Sequence, residues 1–133
     1  MVVKRIEIRW RDMDAFGHVN NAAYLTYLEE ARDEFFHRAL DPATVDRIVI
    51  RRVEVDYLTA LTQDDDHVDV EVRVERVGDA SITTRETITA LSDGRTAAEA
   101  RTVLVHTAPG RGSSEPLPAA ARAALEAGIG ASA

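Results

Sequence analysis

The chain has 133 residues, a formal net charge of −7 and no cysteine. That length suits one domain burying about two thirds of the surface its unfolded form exposes, and the missing cysteine excludes disulfides, thiolate metal sites and a cysteine nucleophile. The acidic balance argues against a nucleic-acid partner, which requires a basic face to neutralise phosphates.

In chain order, Val2 to Trp10 alternates, with Val2, Lys4, Ile6, Ile8 and Trp10 on one side and Val3, Arg5, Glu7 and Arg9 on the other. A period of two predicts a half-buried strand. Its charges interrupt any signal-peptide core, so a cytoplasmic location is expected. No stretch approaches the ~18 to 20 uninterrupted apolar residues of a membrane span, and no membrane partner is expected. From Ala22 the spacing becomes helical: Tyr24, Leu28, Ala31 and Phe35 form a stripe that Leu25 and Phe36 widen, while Glu29, Glu30, Arg32, Asp33 and Arg38 cover the other side. The predicted helix is capped by Asn20 or Asn21, runs to about Leu40 and is stopped by Pro42.

Ile48 to Leu58 reads as a second strand with one slip at Arg51 and Arg52, the mark of a bulge. Val68, Val70, Val72 and Val74 alternate with charged residues in a third, and turns at 78–80 and 92–95 lead into strands Ser81 to Leu91 and Thr96 to Thr107. Three hairpin-connected strands imply an antiparallel sheet. One helix cannot cover both of its faces, so the expected architecture is α+β, a curved five-stranded antiparallel sheet wrapped around one long helix. The outer face is expected to stay partly apolar and to find another copy of the chain. Residues 1–109 form this domain; 110–133 read as a flexible connector followed by a short helix or tail.

Between first strand and helix stands RDMDAFGHVNN, residues 11–21. Asp, Gly and Asn are ordinary turn residues, so this segment can be read as plain connection. It also holds more polar groups than a connection needs. A helix start offers unpaired N–H groups and the positive end of the dipole, where a carbonyl oxygen can be polarised while a carboxylate such as Asp14 acts on its carbon. That arrangement fits hydrolysis of an activated ester without serine, cysteine or metal.

The run RWRDMDAFGHVNNAAYLTYLEEAR also resembles the active-site segment of hotdog-fold acyl-CoA thioesterases of the 4-hydroxybenzoyl-CoA thioesterase superfamily, matching at Asp12, Asp14, Gly17, His18, Val19, Asn20, Asn21 and Tyr24. The resemblance covers about residues 3–107 and implies a hotdog fold, an acyl-CoA or acyl-carrier-protein thioester as substrate, and no cofactor. It also implies a homodimer or homotetramer with interfacial active sites. Asp14 is then the catalytic carboxylate, as general base or as nucleophile. The Tyr24 main-chain N–H would polarise the thioester carbonyl, Gly17 and His18 would form the tight loop, and Asn20 and Asn21 would cap the helix or orient water and substrate. The acyl group would lie along the helix near Tyr24, Tyr27 and Leu28. His18 and Asn20 stand where the 4-hydroxybenzoyl enzymes carry apolar and aromatic residues, which points to the fatty acyl branch instead.

Other polar residues have simpler readings. Asp12 is expected to pair with Arg9 or Arg11, and His18 is either a general base or a loop hydrogen bonder. His37 and His106 read as packing or surface residues. QDDDH at 63–67 lacks the glycine turn and alternating ligands of a cation loop and reads as a solvated turn. Glu29 and Glu30 belong to the polar face of the helix, with an outside claim on catalysis. Arg76 and Arg85 are offered for the phosphates or adenine of coenzyme A. The rival reading is a non-catalytic acyl-CoA-binding or regulatory hotdog protein, which has no use for Asp14; a hydratase or dehydratase would carry a different Asp/His arrangement.

Overall fold

The structure, a computed structural model, describes residues 1–129. Five strands, β1 (Val2–Glu7), β2 (Ile48–Tyr57), β3 (His67–Val77), β4 (Ser81–Ala90) and β5 (Thr96–His106), form one antiparallel sheet in the order β1-β3-β4-β5-β2. The helix α1 (Asn21–Ala39) packs against β1 and β3. The architecture is the hotdog: a curved sheet wrapped around one long helix. Its core follows from the alternation. Val68, Val70, Val72, Ile82 and Ile88 are fully buried, each contributing about 1.5–3 kcal/mol relative to exposure.

Several expectations change in detail. The first strand ends at Glu7, because Ile8 donates its N–H to the Asp66 carbonyl at 2.8 Å and Trp10–Asp12 forms a single 3₁₀ turn, leaving Trp10 79% exposed. Pro42 opens a one-turn helix, α2 (Pro42–Val45), just after α1 ends; proline is pre-organised for that first position. The predicted slip in β2 is present as a register shift between Ile50 and Arg52. On α1, Arg32 turns inward and is buried, whereas Leu25 is 42% exposed.

After β5, Thr107 bridges back to Ser114, and Leu117, Ala121 and Leu125 join the core. The last two belong to α3 (Ala119–Ala127), which packs on β3 and α1. Residues 130–133, the end of the expected tail, lie outside the described residues. The convex face of the sheet is not apolar as expected. Arg5 pairs with Asp69 at 2.9 Å, and Glu75 pairs with Arg85 at 3.1 Å and Arg101 at 2.8 Å. Exposed apolar side chains gather instead beside β2, at Ile50, Tyr57 and Leu58. Among the described residues no helix is long and apolar enough to cross a membrane.

Candidate active site

The loop from Asp12 to Asn20 is held by its own main chain. Asp14 donates its N–H to the His18 carbonyl at 2.8 Å, Met13 bridges Val19, and Asn20 donates to the Asp12 carbonyl at 2.8 Å. Such a narrow loop requires a residue in the left-handed region, and Gly17 takes it at φ +78°. The loop amides of Phe16 and His18 donate to one carboxylate oxygen of Asp14, Oδ1, at 2.9 and 3.3 Å. The carboxylate is thereby aimed, with its other oxygen outside these contacts.

Asp14, His18, Val19, Asn21 and Tyr24 line a hollow of about 250 Å³, whose far wall is Tyr57 and the segment Leu58–Ala60. That wall is tied to the helix. The Tyr24 hydroxyl donates to the Thr59 carbonyl and accepts from the Leu61 N–H, both at 3.1 Å, and Val19 donates to the Leu61 carbonyl at 2.8 Å. Tyr57 stacks edge-on against Tyr24 with ring centroids 5.1 Å apart and donates its hydroxyl to the Asn21 carbonyl at 3.2 Å.

Residues expected at the site therefore divide. Asp14, His18, Asn21 and Tyr24 meet in the hollow, and Gly17 shapes the loop. Asn20 is the helix cap, its side chain accepting from the Ala22 N–H at 2.8 Å, while its carbonyl accepts from Ala23 at 2.8 Å. Asn21 and Tyr24, the first and fourth helical residues, both line the hollow at the helix start. Tyr27 and Leu28 are core residues, at 1% and 0% exposure, and do not line this hollow. Arg76 and Arg85 do not border this hollow; Arg85 lies on the convex face with Glu75, and Arg76 is exposed opposite Thr83 near the β3–β4 turn.

Asp12 pairs with Arg9, as expected, and also accepts the Tyr27 hydroxyl at 2.8 Å and the Arg9 N–H at 2.9 Å. Burial pushes the Asp12 carboxyl up, but these three hydrogen bonds together outweigh it and hold it below the usual aspartate range. Burial first, and Asp12 second, raises the Tyr27 hydroxyl well above its ordinary value, so it stays a donor.

Three further groups were not read as partners. Tyr57 to Ala60 form the wall, placed there because β2 ends beside the helix start. Asp65 is buried rather than solvated; it accepts from both terminal nitrogens of Arg95, from Ser92 at 2.7 Å and from the Thr62 N–H at 2.9 Å. The Arg95 hydrogen bonds hold its carboxyl far below the usual range. Arg32 reaches under the helix to Glu86 at 2.9 Å and Thr102 at 3.2 Å. Its spacing of four from Leu28 and from Phe36 was the available signal. No group of three or more His, Cys, Asp or Glu placed to hold a metal ion occurs among the described residues.

A curved five-stranded sheet around one long helix defines a hotdog protein. The chain belongs to the thioesterase-like superfamily, whose family model matches residues 8–125, and it is a thioester hydrolase. A thioesterase from Thermus thermophilus, solved in complex with coenzyme A and zinc, is 39% identical over 94% of this chain and 92% of its own, with a TM-score of 0.83. A predicted thioesterase from Bacillus stearothermophilus is 31% identical over 96% and 95%, with a TM-score of 0.84. A 1,4-dihydroxy-2-naphthoyl-CoA thioesterase from Synechocystis shares the fold at 17% identity, over 92% and 93%, with a TM-score of 0.80. No curated protein matches the sequence.

Proposed function

We propose that the chain hydrolyses an acyl-CoA, or an acyl-carrier-protein thioester, to a free acid and a thiol, with Asp14 as the reactive carboxylate. The observation that carries this reading is the fixing of Asp14 Oδ1 by two loop amides inside the hollow that the helix start lines. The solved relative bound to coenzyme A supports the choice of thiol. The thioester carbonyl sits at the helix start, where the Tyr24 main-chain N–H, with Asn21 beside it in the hollow's lining, and the helix dipole stabilise the oxyanion. Asp14 either takes a proton from the attacking water or attacks the carbonyl itself to give a mixed anhydride that water then opens. In both routes the sulfur leaves with the electron pair of the broken C–S bond and is protonated. His18, exposed in the same hollow, is placed to orient water.

The same reading takes the chain to be a cytoplasmic homodimer or homotetramer with sites at the interface. In support, β2 is a ten-residue edge strand, and Leu25, Ile50, Tyr57 and Leu58 beside it are 42 to 51% exposed.

A panel of acyl-CoAs assayed for released thiol tests the activity, with Asp14→Asn as the paired variant. Turnover by the wild type and a loss of about 100-fold or more in the variant are expected. Undiminished turnover in Asp14→Asn overturns the role of Asp14, and silence across the panel favours the binding-only alternative.

A further inference from the structure

A second hollow, of about 270 Å³, lies between the same two elements as the first. It is walled by Phe36, Val45, Ile48, Ile50 and Leu104, with Arg32 entering from α1. The first hollow takes Asn21 and Tyr24 from the start of α1 and Tyr57 from the end of β2; this one takes the later residues of α1 and the first residues of β2. Because helix and strand run in opposite senses here, the two hollows lie at opposite ends of the α1–β2 seam, which we take as one trough. Asn21, Leu25 and Glu29 follow one another at spacings of four along it, and Leu25 is 42% exposed. Asn21 to Arg32 spans eleven residues of helix, about 17 Å.

The far end is unusual in its polarity. Arg32 and Glu86 have side chains only 6% and 0% exposed, and among the described residues the hydrogen bonds of the Arg32 head are made through Nη1, to Glu86 and Thr102. Its remaining nitrogens are not sealed in: the only buried side-chain polar atom without a partner among the described residues is Glu86 Oε2. They open to the hollow that Arg32 lines. A buried ion pair is costly compared with well-packed apolar residues, and here it leaves unspent donors facing an apolar cavity. The charge is already balanced by Glu86, and two exposed acids, Glu29 and Asp33, stand at the mouth. Donors whose charge is already balanced suit a neutral oxygen, and the acids Glu29 and Asp33 at the mouth disfavour a carboxylate.

Resting on the thioesterase reading, we propose that this hollow receives the far end of the acyl group, and that Arg32 selects acyl chains carrying a neutral oxygen, a hydroxyl or a carbonyl, at that end. A second copy of the chain at the β2 edge would roof the trough without changing its floor.

The test compares three sets of acyl-CoAs over a ladder of chain lengths: plain alkyl, hydroxyl- or oxo-bearing near the tail, and tail carboxylate. In the wild type, at lengths that span the trough, the neutral oxygenated set is expected to exceed plain alkyl in kcat/KM by about 10-fold, the factor supplied by one charge-assisted hydrogen bond. The carboxylate set is expected to fall below plain alkyl. Ile50→Trp, on an edge strand, fills the hollow and should bring the oxygenated-to-plain ratio to about one, as should the paired change Arg32→Met with Glu86→Leu, which replaces the ion pair by apolar volume. A ratio of one in the wild type at every length, with acyl-CoAs still hydrolysed, overturns the tail site and leaves the thioesterase reading intact. If nothing is hydrolysed, methyl NMR of Ile48 and Ile50 decides: shifts with the oxygenated acyl-CoAs uphold the site while the catalytic reading fails. Shifts that follow protein concentration alone give the hollow to a second copy of the chain and overturn it.

Discussion

Arg95 meets Asp65 with both terminal nitrogens, at 3.0 and 2.9 Å, and the second of them also donates to the Ala60 carbonyl at 2.8 Å. The turn between β4 and β5 thereby holds the wall of the hollow that faces Asp14. A lysine cannot make the paired contact. Arg95→Lys should lower the unfolding free energy by about 1–2 kcal/mol in urea titration and slow hydrolysis by loosening Ala60. The depressed Asp65 carboxyl fixes the sign with pH: its stabilisation is complete above the ordinary aspartate value near ~3.9 and is lost as the solution is acidified toward the folded value. Asp65→Asn should therefore lower stability at neutral pH and flatten the acid limb of a stability profile.

Gly17 is the second point of leverage. A Cβ there would touch nothing within 4 Å, so the cost of a side chain is the φ of +78° alone. Gly17→Ala should cost about 1 kcal/mol and Gly17→Asn less, since asparagine tolerates that region. Thermal unfolding measures both. A loss much beyond that range would mean the loop packs against something absent from the single chain.

Tyr27→Phe removes one donor from buried Asp12 and nothing else. A hydrogen bond to a charged acceptor is worth about 1.5–3 kcal/mol, and that loss is expected in denaturant. The raised Tyr27 hydroxyl contributes stability below the ordinary tyrosine value near ~10 and loses it as pH climbs through the folded value. The variant should thus show a shallower alkaline limb than the wild type.

Arg32 and Glu86 should behave as a unit. Arg32→Met alone strands a carboxylate whose side chain is 0% exposed, and breaking such a pair costs about 3–5 kcal/mol. With Glu86→Leu added, the loss should shrink to near zero. A double-mutant cycle by chemical denaturation reads the difference, and strictly additive losses would refute the pairing.

Periodicity carried the sheet well, because alternate residues of β3 truly face the helix. The bulge in β2 was legible for the same reason, two exposed residues in a row at Arg51 and Arg52. The loop was legible as a unit, since Asp14, Gly17 and the Asn20 cap are set by local chain geometry. What composition hid were contacts between residues far apart in the chain: Arg95 with Asp65, Arg32 with Glu86, and Tyr57 with Tyr24. Charged letters on a helix read as a solvated face, so Arg32 went to the wrong side; its partner lies 54 positions away. The burial of Tyr27 and Leu28 was not legible either, because a stripe alone does not say which of its residues the sheet seals and which it leaves open.

Trp10, the one tryptophan of the chain, stands 79% exposed on the turn that leads to Asp12. An indole already in water has little further to move when the chain unfolds, so its emission will scarcely report denaturation. Any event that covers it will shift the spectrum to the blue. The protein thus carries a native fluorophore suited to following contacts at the entrance to its loop, free of interference from the melting of its core.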